Sequence, residues 1–164
     1  MYITVEELKS VLYEYQVREI TEDDGTIAEE AIMAAEEEVK GYLVASNNRR
    51  ETATLTAQQY AAWKLYDVDA IFAKTGAERN SFLVRIVQRI AAWNLCELAS
   101  PDIIYERVKE RHDAAISTLE KIAGMGEYAG SRLVIGALDS PEPSPDEAET
   151  KPFRMVSRRK FRHE

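Results

Sequence analysis

The chain has 164 residues, of which 45% are hydrophobic and 30% charged, a composition typical of one soluble globular domain. No apolar run approaches the ~18 residues that a transmembrane helix needs, and no basic stretch followed by an apolar one opens the chain, so we expect it to stay in the cytosol of the cell that makes it. The net charge of −8 argues against sequence-specific DNA binding, which requires a basic face.

The charge is distributed unevenly along the chain. Residues 139–149 carry five acids and no base, whereas residues 151–164 carry six Lys or Arg and one acid. These two segments cancel, so residues 1–138 hold the whole net charge of −8. We therefore expect an acidic body followed by an acidic linker and a basic tail.

Two helices are predicted in the first third of the chain, each opened by a capping box. Thr4 with Glu7 begins the first, and Thr26 with Glu29 begins the second. The apolar positions that recur at helical spacing are Val5, Leu8, Val11, Leu12 and Tyr15 in the first helix and Ala28, Ala31, Ile32, Ala35, Val39, Tyr42 and Leu43 in the second. The polar run "ASNNRRE" (45–51) predicts a loop.

A third helix is predicted after this loop. Thr56 and Gln59 form its cap, and Gly76 ends it. Its apolar positions are Ala61, Leu65, Val68 and Phe72.

The fourth predicted helix, about 81–99, is apolar almost all round, with Arg85, Gln88 and Arg89 as its main polar strip. Such a helix lies in the centre of a bundle and is covered by others. A fifth helix starts at Ser100-Pro101 and runs to about 123. Its stripe is Ile104, Val108, Ala115, Leu119 and Ile122, and Gly124 and Gly126 end it.

The sequence changes in character after Gly126. "SRLVIGALD" is a short apolar piece that reads as a strand or an arm, and Pro141, Pro143, Pro145 and Pro152 then favour extended chain. We predict an all-α fold, a bundle of four to five helices, with an extended C-terminal arm over 127–164 that packs no core of its own.

The acidic stretch around Asp23-Asp24-Gly25 raises the question of a calcium loop. In an EF-hand loop with Gly25 at position six, positions one and twelve would be Ile20 and Ala31, although both must be acidic. We predict a tight turn there, with Gly25 supplying the flexible backbone. No metal and no cofactor are expected.

Catalytic chemistry has little support in the sequence. "GMGEYA" (124–129) matches a dinucleotide fingerprint in letters, but a helix precedes it and a loop follows, so its glycines read as a helix stop. His112 lies among alternating charges and is expected to be solvated, and Cys96 is expected to be a buried, inert thiol. The Glu106/Glu110 and Arg107/Arg111 pairs read as a solvated helix face. We predict no catalytic residue and no enzyme.

The basic tail carries the most specific physical signal. It interleaves apolar anchors with cations, and the predicted interaction residues are Phe153, Arg154, Arg158, Arg159, Lys160, Phe161 and Arg162. One interpretation is a disordered, solubilising tail; the other is an arm that becomes ordered on a partner. Fully extended, residues 139–152 would span up to ~45 Å.

Several short motifs resemble a family of Mu-like phage and prophage head–tail connector proteins, formerly of unknown function. They are "MYITVEELK" at the start, the "DDG" turn, "VKGYL" (39–43), "RIVQRIAAWNL" (85–95), "YERVKERHDAAISTLEKIAGMG" (105–126) and the ending "PFRMVSRRKFR". Their order and spacing carry the resemblance, which covers roughly 1–46, 80–126 and the tail. Residues 49–78 depart from the family, whose corresponding segment is a short loop, and this indicates an insertion or a divergent branch within a 1–126 body.

The resemblance implies a structural protein of the virion neck, made in the cytoplasm of the bacterial host. It would assemble as a homo-oligomeric ring at the portal, contact portal and tail-completion proteins, and let DNA pass without specific binding. An acidic body fits such a channel because like charge repels phosphate. The alternative is a small helical regulatory module that binds protein or nucleic acid through the basic tail.

Overall fold

The computed structural model describes residues 1–52, 56–98, 105–125, 128 and 132–141. Within these residues the chain is all-helical and has no strand, which confirms the predicted all-α class. The α-helices are α1 (Glu14–Thr21), α2 (Gly25–Thr52), α3 (Ala57–Ala62), α4 (Val68–Ala73), α5 (Ser81–Leu98) and α6 (Tyr105–Ala123). Two 3-10 helices, Val5–Ser10 and Gly76–Glu78, complete the described secondary structure.

Helices α2, α5 and α6 form the core of the bundle. Each packs against the other two, and α5 buries eight residues between its neighbours. The central position predicted for the fourth helix is therefore confirmed. The predicted stripes of α2 and α6 are also buried: Ala28, Ala31, Ile32, Ala35, Val39 and Leu43, and Val108, Ala115, Leu119 and Ile122. Ser100, Pro101, Ile104 and Gly126 lie outside the described residues.

The first predicted helix is wrong as a single element. A 3-10 helix over Val5–Ser10 is followed by a break, and α1 then begins at Glu14. The Glu7 side chain accepts from Thr4 N at 2.9 Å as the capping box requires, but Gln16 accepts from Tyr13 N at 3.0 Å and so caps a second helix start. Two competing caps nine residues apart thus divide the segment.

The turn before α2 differs in detail from its prediction. Glu22 and Asp23 adopt left-handed backbone, with φ of 50° and 64°, whereas Gly25 does not and forms the first residue of α2. The cap is Asp24, whose Oδ1 accepts from Thr26 N at 2.9 Å and from its hydroxyl at 2.6 Å. Thr26 is therefore the partner of the capping residue and does not itself cap the helix.

The loop predicted at 45–51 is wrong, because α2 continues to Thr52. Ser46 is fully buried, and its hydroxyl donates to the Ile122 carbonyl at 3.0 Å. The Asn47 amide donates to Tyr66 O at 2.8 Å and accepts from Tyr66 N at 2.9 Å. Tertiary hydrogen bonds therefore hold these polar residues in a helix.

The same contacts divide the third predicted helix. The Thr56–Gln59 cap is confirmed, with Gln59 N donating to Thr56 Oγ1 at 3.2 Å, but α3 ends at Ala62. Asn47 engages the backbone of Tyr66 in the break, and Asp67 then caps α4 by accepting from Ala70 N at 3.0 Å. Gly76 does not end a long helix; it begins a 3-10 helix at φ +56°.

Gly124 ends α6 as predicted, in left-handed backbone with φ +67°. Met125 N donates to Glu120 O at 2.9 Å, which satisfies a carbonyl of the last turn. A Cβ at Gly124 would lie 3.7 Å from the Trp63 ring, so backbone strain, not crowding, limits substitution.

We expect Gly124→Ala to lower the free energy of unfolding by about 1 kcal/mol, because the left-handed backbone penalises a Cβ. Gly41 is the matched control: it lies within α2, and a Cβ added there would meet nothing within 4 Å, so Gly41→Ala should raise stability by about 0.5–1 kcal/mol. Urea denaturation of both variants measures the difference. Equal effects of the two substitutions would contradict the assignment.

Candidate interaction surfaces

Part of the segment that the sequence predicts to be an extended arm packs on the helical body. We call residues 132–139 the strap; it runs past the end of α6 and over the connection between α3 and α4. Leu138 is buried in the core cluster, and Ile135 packs partly against it. Residues 132–139 of the predicted arm therefore pack against the core of the helical body. The seven predicted tail residues, Phe153 to Arg162, lie outside the described residues.

Arg132 fixes the start of the strap. Its Nε donates to Ser46 Oγ at 2.9 Å and to Ile122 O at 3.0 Å, and its Nη2 donates to Lys64 O at 2.7 Å. The guanidinium also lies 4.5 Å from the Trp63 ring centroid and 5.1 Å from that of Tyr66. Burial lowers the pKa of this guanidinium, although an arginine remains charged. One side chain thus joins α2, α6 and the α3–α4 connection.

The rest of the strap is fastened by backbone and side-chain bonds. Ile135 N donates to the Tyr66 hydroxyl at 3.1 Å, and Lys64 Nζ donates to Gly136 O at 2.8 Å and also to Leu138 O. Asp67 N donates to Asp139 O at 3.0 Å, and the Asp139 carboxylate pairs with Lys74. These bonds hold the strap against the body as far as Asp139.

The N-terminal segment is held as firmly. Arg79 donates from Nη1 and Nη2 to the two oxygens of the Glu7 carboxylate at 2.9 and 2.6 Å, and from Nη1 to Tyr2 O at 2.6 Å. This two-armed hydrogen bond lowers the pKa of Glu7 to about 2. The buried Glu36 carboxylate accepts from the backbone N–H groups of Tyr2 and Ile3.

A basic groove lies where the 3-10 helix Val5–Ser10 meets α5 and α6. It consists of two adjoining clefts that share Ser10, Val11 and Arg111. Its cations are Lys9, Arg85, Arg89, Arg107 and Arg111. This grouping of five positive charges stands out in a body whose net charge is −8.

Most of these cations lack an acidic partner within the described residues. Lys9 lies 3.3 Å from the Glu14 carboxylate, and Arg111 donates only to the Val11 carbonyl, at 3.4 Å. Arg85, Arg89 and Arg107 make no salt bridge to any described carboxylate. Four of the five groove cations, Arg85, Arg89, Arg107 and Arg111, therefore have no carboxylate partner among the described residues.

Exposed aromatic side chains border the basic groove. Tyr13 lines one of its clefts, is 63% exposed and stacks on Tyr15 with ring centroids 5.7 Å apart. Phe82 is exposed beside Ser81, which lines the other cleft. Arginine next to tyrosine and phenylalanine is the composition that protein interfaces favour.

Sequence reasoning missed this groove. The sequence predicts a solvated helix face on which Arg107 and Arg111 lie near Glu106 and Glu110, yet no salt bridge links these four residues in the structure. The available signal was a pair of arginines at i,i+4 spacing on each of two consecutive helices, Arg85/Arg89 and Arg107/Arg111. Like charges at that spacing are unfavourable on an isolated helix, so their recurrence on two helices is a sequence signal for a clustered positive surface.

A second, apolar surface lies at the other end of α6. Tyr42, Ala45 and Met125 line a shallow depression there, and Leu133 and Val134 are exposed where the strap passes the last turn of α6. Arg107 and Lys121 are 14 residues apart on that helix, so roughly 20 Å separates the two surfaces along its axis.

The candidate catalytic side chains are placed as follows. His112, predicted to be solvated, has a side chain that is only 18% exposed, and it stacks on Trp93 at 5.0 Å between ring centroids. That prediction is wrong because the ring covers apolar surface of α5. Cys96 is buried as predicted, and burial raises the pKa of its thiol.

Neither a metal site nor a membrane span is found in the part of the chain that the structure describes. That part contains no group of three His, Cys, Asp or Glu side chains placed to hold a metal ion. No helix in it combines the length and the apolar character needed to cross a bilayer.

Comparison with known proteins adds no assignment. No family model matches the chain, and neither a curated protein nor a solved structure matches it.

Proposed function

We propose that this chain is a structural subunit of the head–tail connector type that assembles as a ring at the portal of a phage or prophage particle. The observation that carries the proposal is the pair of unlike exposed surfaces at the two ends of α6. A ring is built from head-to-tail contacts, so each subunit needs two different, complementary patches. The basic groove and the apolar surface fit this requirement.

The distribution of acidic residues supports the same proposal. Helix α2 exposes Glu29, Glu30 and Glu37, and no residue of α2 lines the basic groove. An acidic α2 face turned toward a central channel would repel phosphate and let DNA pass without binding. The motifs that resemble the connector family supply the second support, since assembly and not catalysis is what that resemblance implies.

Because the strap packs on the body, a truncation that tests the role of the arm has to begin beyond the strap. Truncation after Gly136 would remove the buried Leu138 and the bonds of Asp139, and so would disturb the body itself. Truncation after Pro141 removes the linker and the predicted tail residues but keeps the strap. We expect this variant to unfold at the same urea concentration as the full chain but to lose association with a portal protein.

The measurement is molecular mass in solution, by light scattering, with and without a portal protein of the same particle. Mass growth of the full chain into a closed species, lost after truncation, would support the proposal. A full chain that stays a monomer with the portal present would contradict it. Salt-sensitive binding of duplex DNA that disappears on deleting 151–164 would instead support the regulatory module.

A further inference from the structure

The basic groove has the shape and charge for an extended acidic ligand. Its five cations are spread over two clefts that meet at Ser10, Val11 and Arg111, so they do not surround a single point. A small anion would engage only part of them, whereas an extended chain would follow both clefts. Charge complementarity then requires several carboxylates in a short stretch.

The chain itself contains such a stretch. Residues 142–149, "EPSPDEAE", carry four acids and no base, and their prolines favour extended backbone. Extended, eight residues span about 26 Å. The number of carboxylates nearly equals the number of groove cations.

The exit of the linker points to a second copy as its acceptor. Pro141 lies on the α2–α4 side of the body, in a depression that contains three acids, Glu37, Asp67 and Asp69, and one cation, Lys40, which pairs with Glu37. None of the residues that line this depression lines the basic groove. The excess of negative charge at the exit and the stiff proline-rich sequence beyond it both disfavour a return across the same body.

We propose that the basic groove of one copy binds the acidic segment 142–149 of a second copy. Each subunit would then donate one segment and accept one, which is a head-to-tail contact of the kind that closes into a ring. This inference rests on the proposed assembly function and names one of its contacts.

Cysteine cross-linking between two populations of full-length chain tests the contact directly. One population carries Ser10→Cys in the groove and the other Ser144→Cys in the acidic segment, and both changes preserve every charge. Cys96 is 5% exposed, so it does not compete. We expect the mixture to form disulfide-linked heterodimers under mild oxidation, and high salt should suppress them.

The matched control places the first cysteine on α2, which does not line the groove. Ala34→Cys on the exposed side of α2 should cross-link to Ser144→Cys at least tenfold more slowly than Ser10→Cys does. A chain that carries both Ser10→Cys and Ser144→Cys should form intermolecular links. An intramolecular disulfide at high dilution would overturn the assignment to a second copy, and equal rates for Ala34→Cys and Ser10→Cys would overturn the groove as the site.

Charge reversal separates this inference from the proposed function. Arg85→Glu with Arg89→Glu should weaken self-association about tenfold or more, and Asp146→Lys with Glu147→Lys in the same chain should restore it. If the ring forms equally well with the reversed groove, the groove inference fails while the connector proposal stands. If duplex DNA binds the wild-type chain and the groove variant loses that binding, the groove takes phosphate and the inference is overturned.

Discussion

Arg132→Ala is expected to lower the free energy of unfolding by about 3 kcal/mol. The substitution removes three hydrogen bonds to Ser46, Ile122 and Lys64 and the contact of a cation with two aromatic rings. It also leaves the Lys64 carbonyl without this donor. Urea denaturation measures the loss, and Arg132→Lys should recover little of it because an ammonium lacks the planar fork.

Hydrogen exchange at two amides shows whether the strap has detached. Ile135 N is bonded to the Tyr66 hydroxyl and Asp67 N to the Asp139 carbonyl, so both should exchange faster in Arg132→Ala. The neighbouring Leu133 is 41% exposed and serves as the control, with an expected change below about 0.5 kcal/mol for Leu133→Ala. A loss below about 1 kcal/mol with both amides still protected would show that Arg132 does not hold the strap.

Glu7→Gln is expected to destabilise the protein by about 2 kcal/mol at pH 7. The Arg79 guanidinium, which donates two hydrogen bonds to this carboxylate, lowers its pKa from 4.5 to about 2. A pKa that is lower in the folded state means that ionised Glu7 favours folding. An amide keeps the shape of the side chain but loses the charge and one of the two acceptors.

The stability that ionised Glu7 contributes is expected to be lost at low pH. The stabilisation is complete above the unfolded pKa of about 4.5 and is lost as the pH falls toward about 2. The stabilities of wild type and Glu7→Gln should therefore converge in that window, as followed by urea denaturation at several pH values. Glu6→Gln is the control, since Glu6 is exposed and its change should be small at every pH. Parallel curves for wild type and Glu7→Gln would refute the ion pair.

The spacing of apolar residues predicted the core because it shows, within a single segment, which face of each helix is apolar. The stripes of α2 and α6 and the apolar surface of α5 recur at 3.6-residue spacing, and the structure buries them against one another. The end of α6 at Gly124 was also predicted, since the left-handed residue that follows a helix is usually glycine. These features are local in sequence, so one segment at a time sufficed to find them.

The predictions were wrong for polar segments whose structure depends on partners that are distant in the sequence. Ser46 and Asn47 read as loop residues, yet Ile122 and Tyr66 bind their side chains and keep α2 helical. His112 read as solvated because the sequence around it is charged, but Trp93 covers its ring. The partners in these contacts lie 19 to 76 residues apart, beyond the reach of a helical repeat or a capping motif.

The basic groove and the strap could not be predicted from the sequence for the same reason. The basic groove combines side chains from the first 3-10 helix, α5 and α6, and the strap depends on Arg132 reaching three separate elements. A lone arginine in "SRLVIGALD" gives no indication of that role. The negative charge of the linker and the positive charge of the tail were evident from the sequence, and the binding partners of both remain predictions.

The strap has a consequence for the order in which the molecule matures during synthesis. A ribosome makes the chain from its N-terminus, so α2, α5 and α6 are complete by Ala123, before any residue of the strap exists. The bonds from Arg132 to Lys64 and from Lys64 to Gly136 join residues 68 and 72 positions apart. The connection between α3 and α4 therefore gains its final fastening only after the three core helices have been made. Closure of the body thus follows the synthesis of its three core helices, and the proposed pairing between copies through residues 142–149 would begin only after the strap has been made.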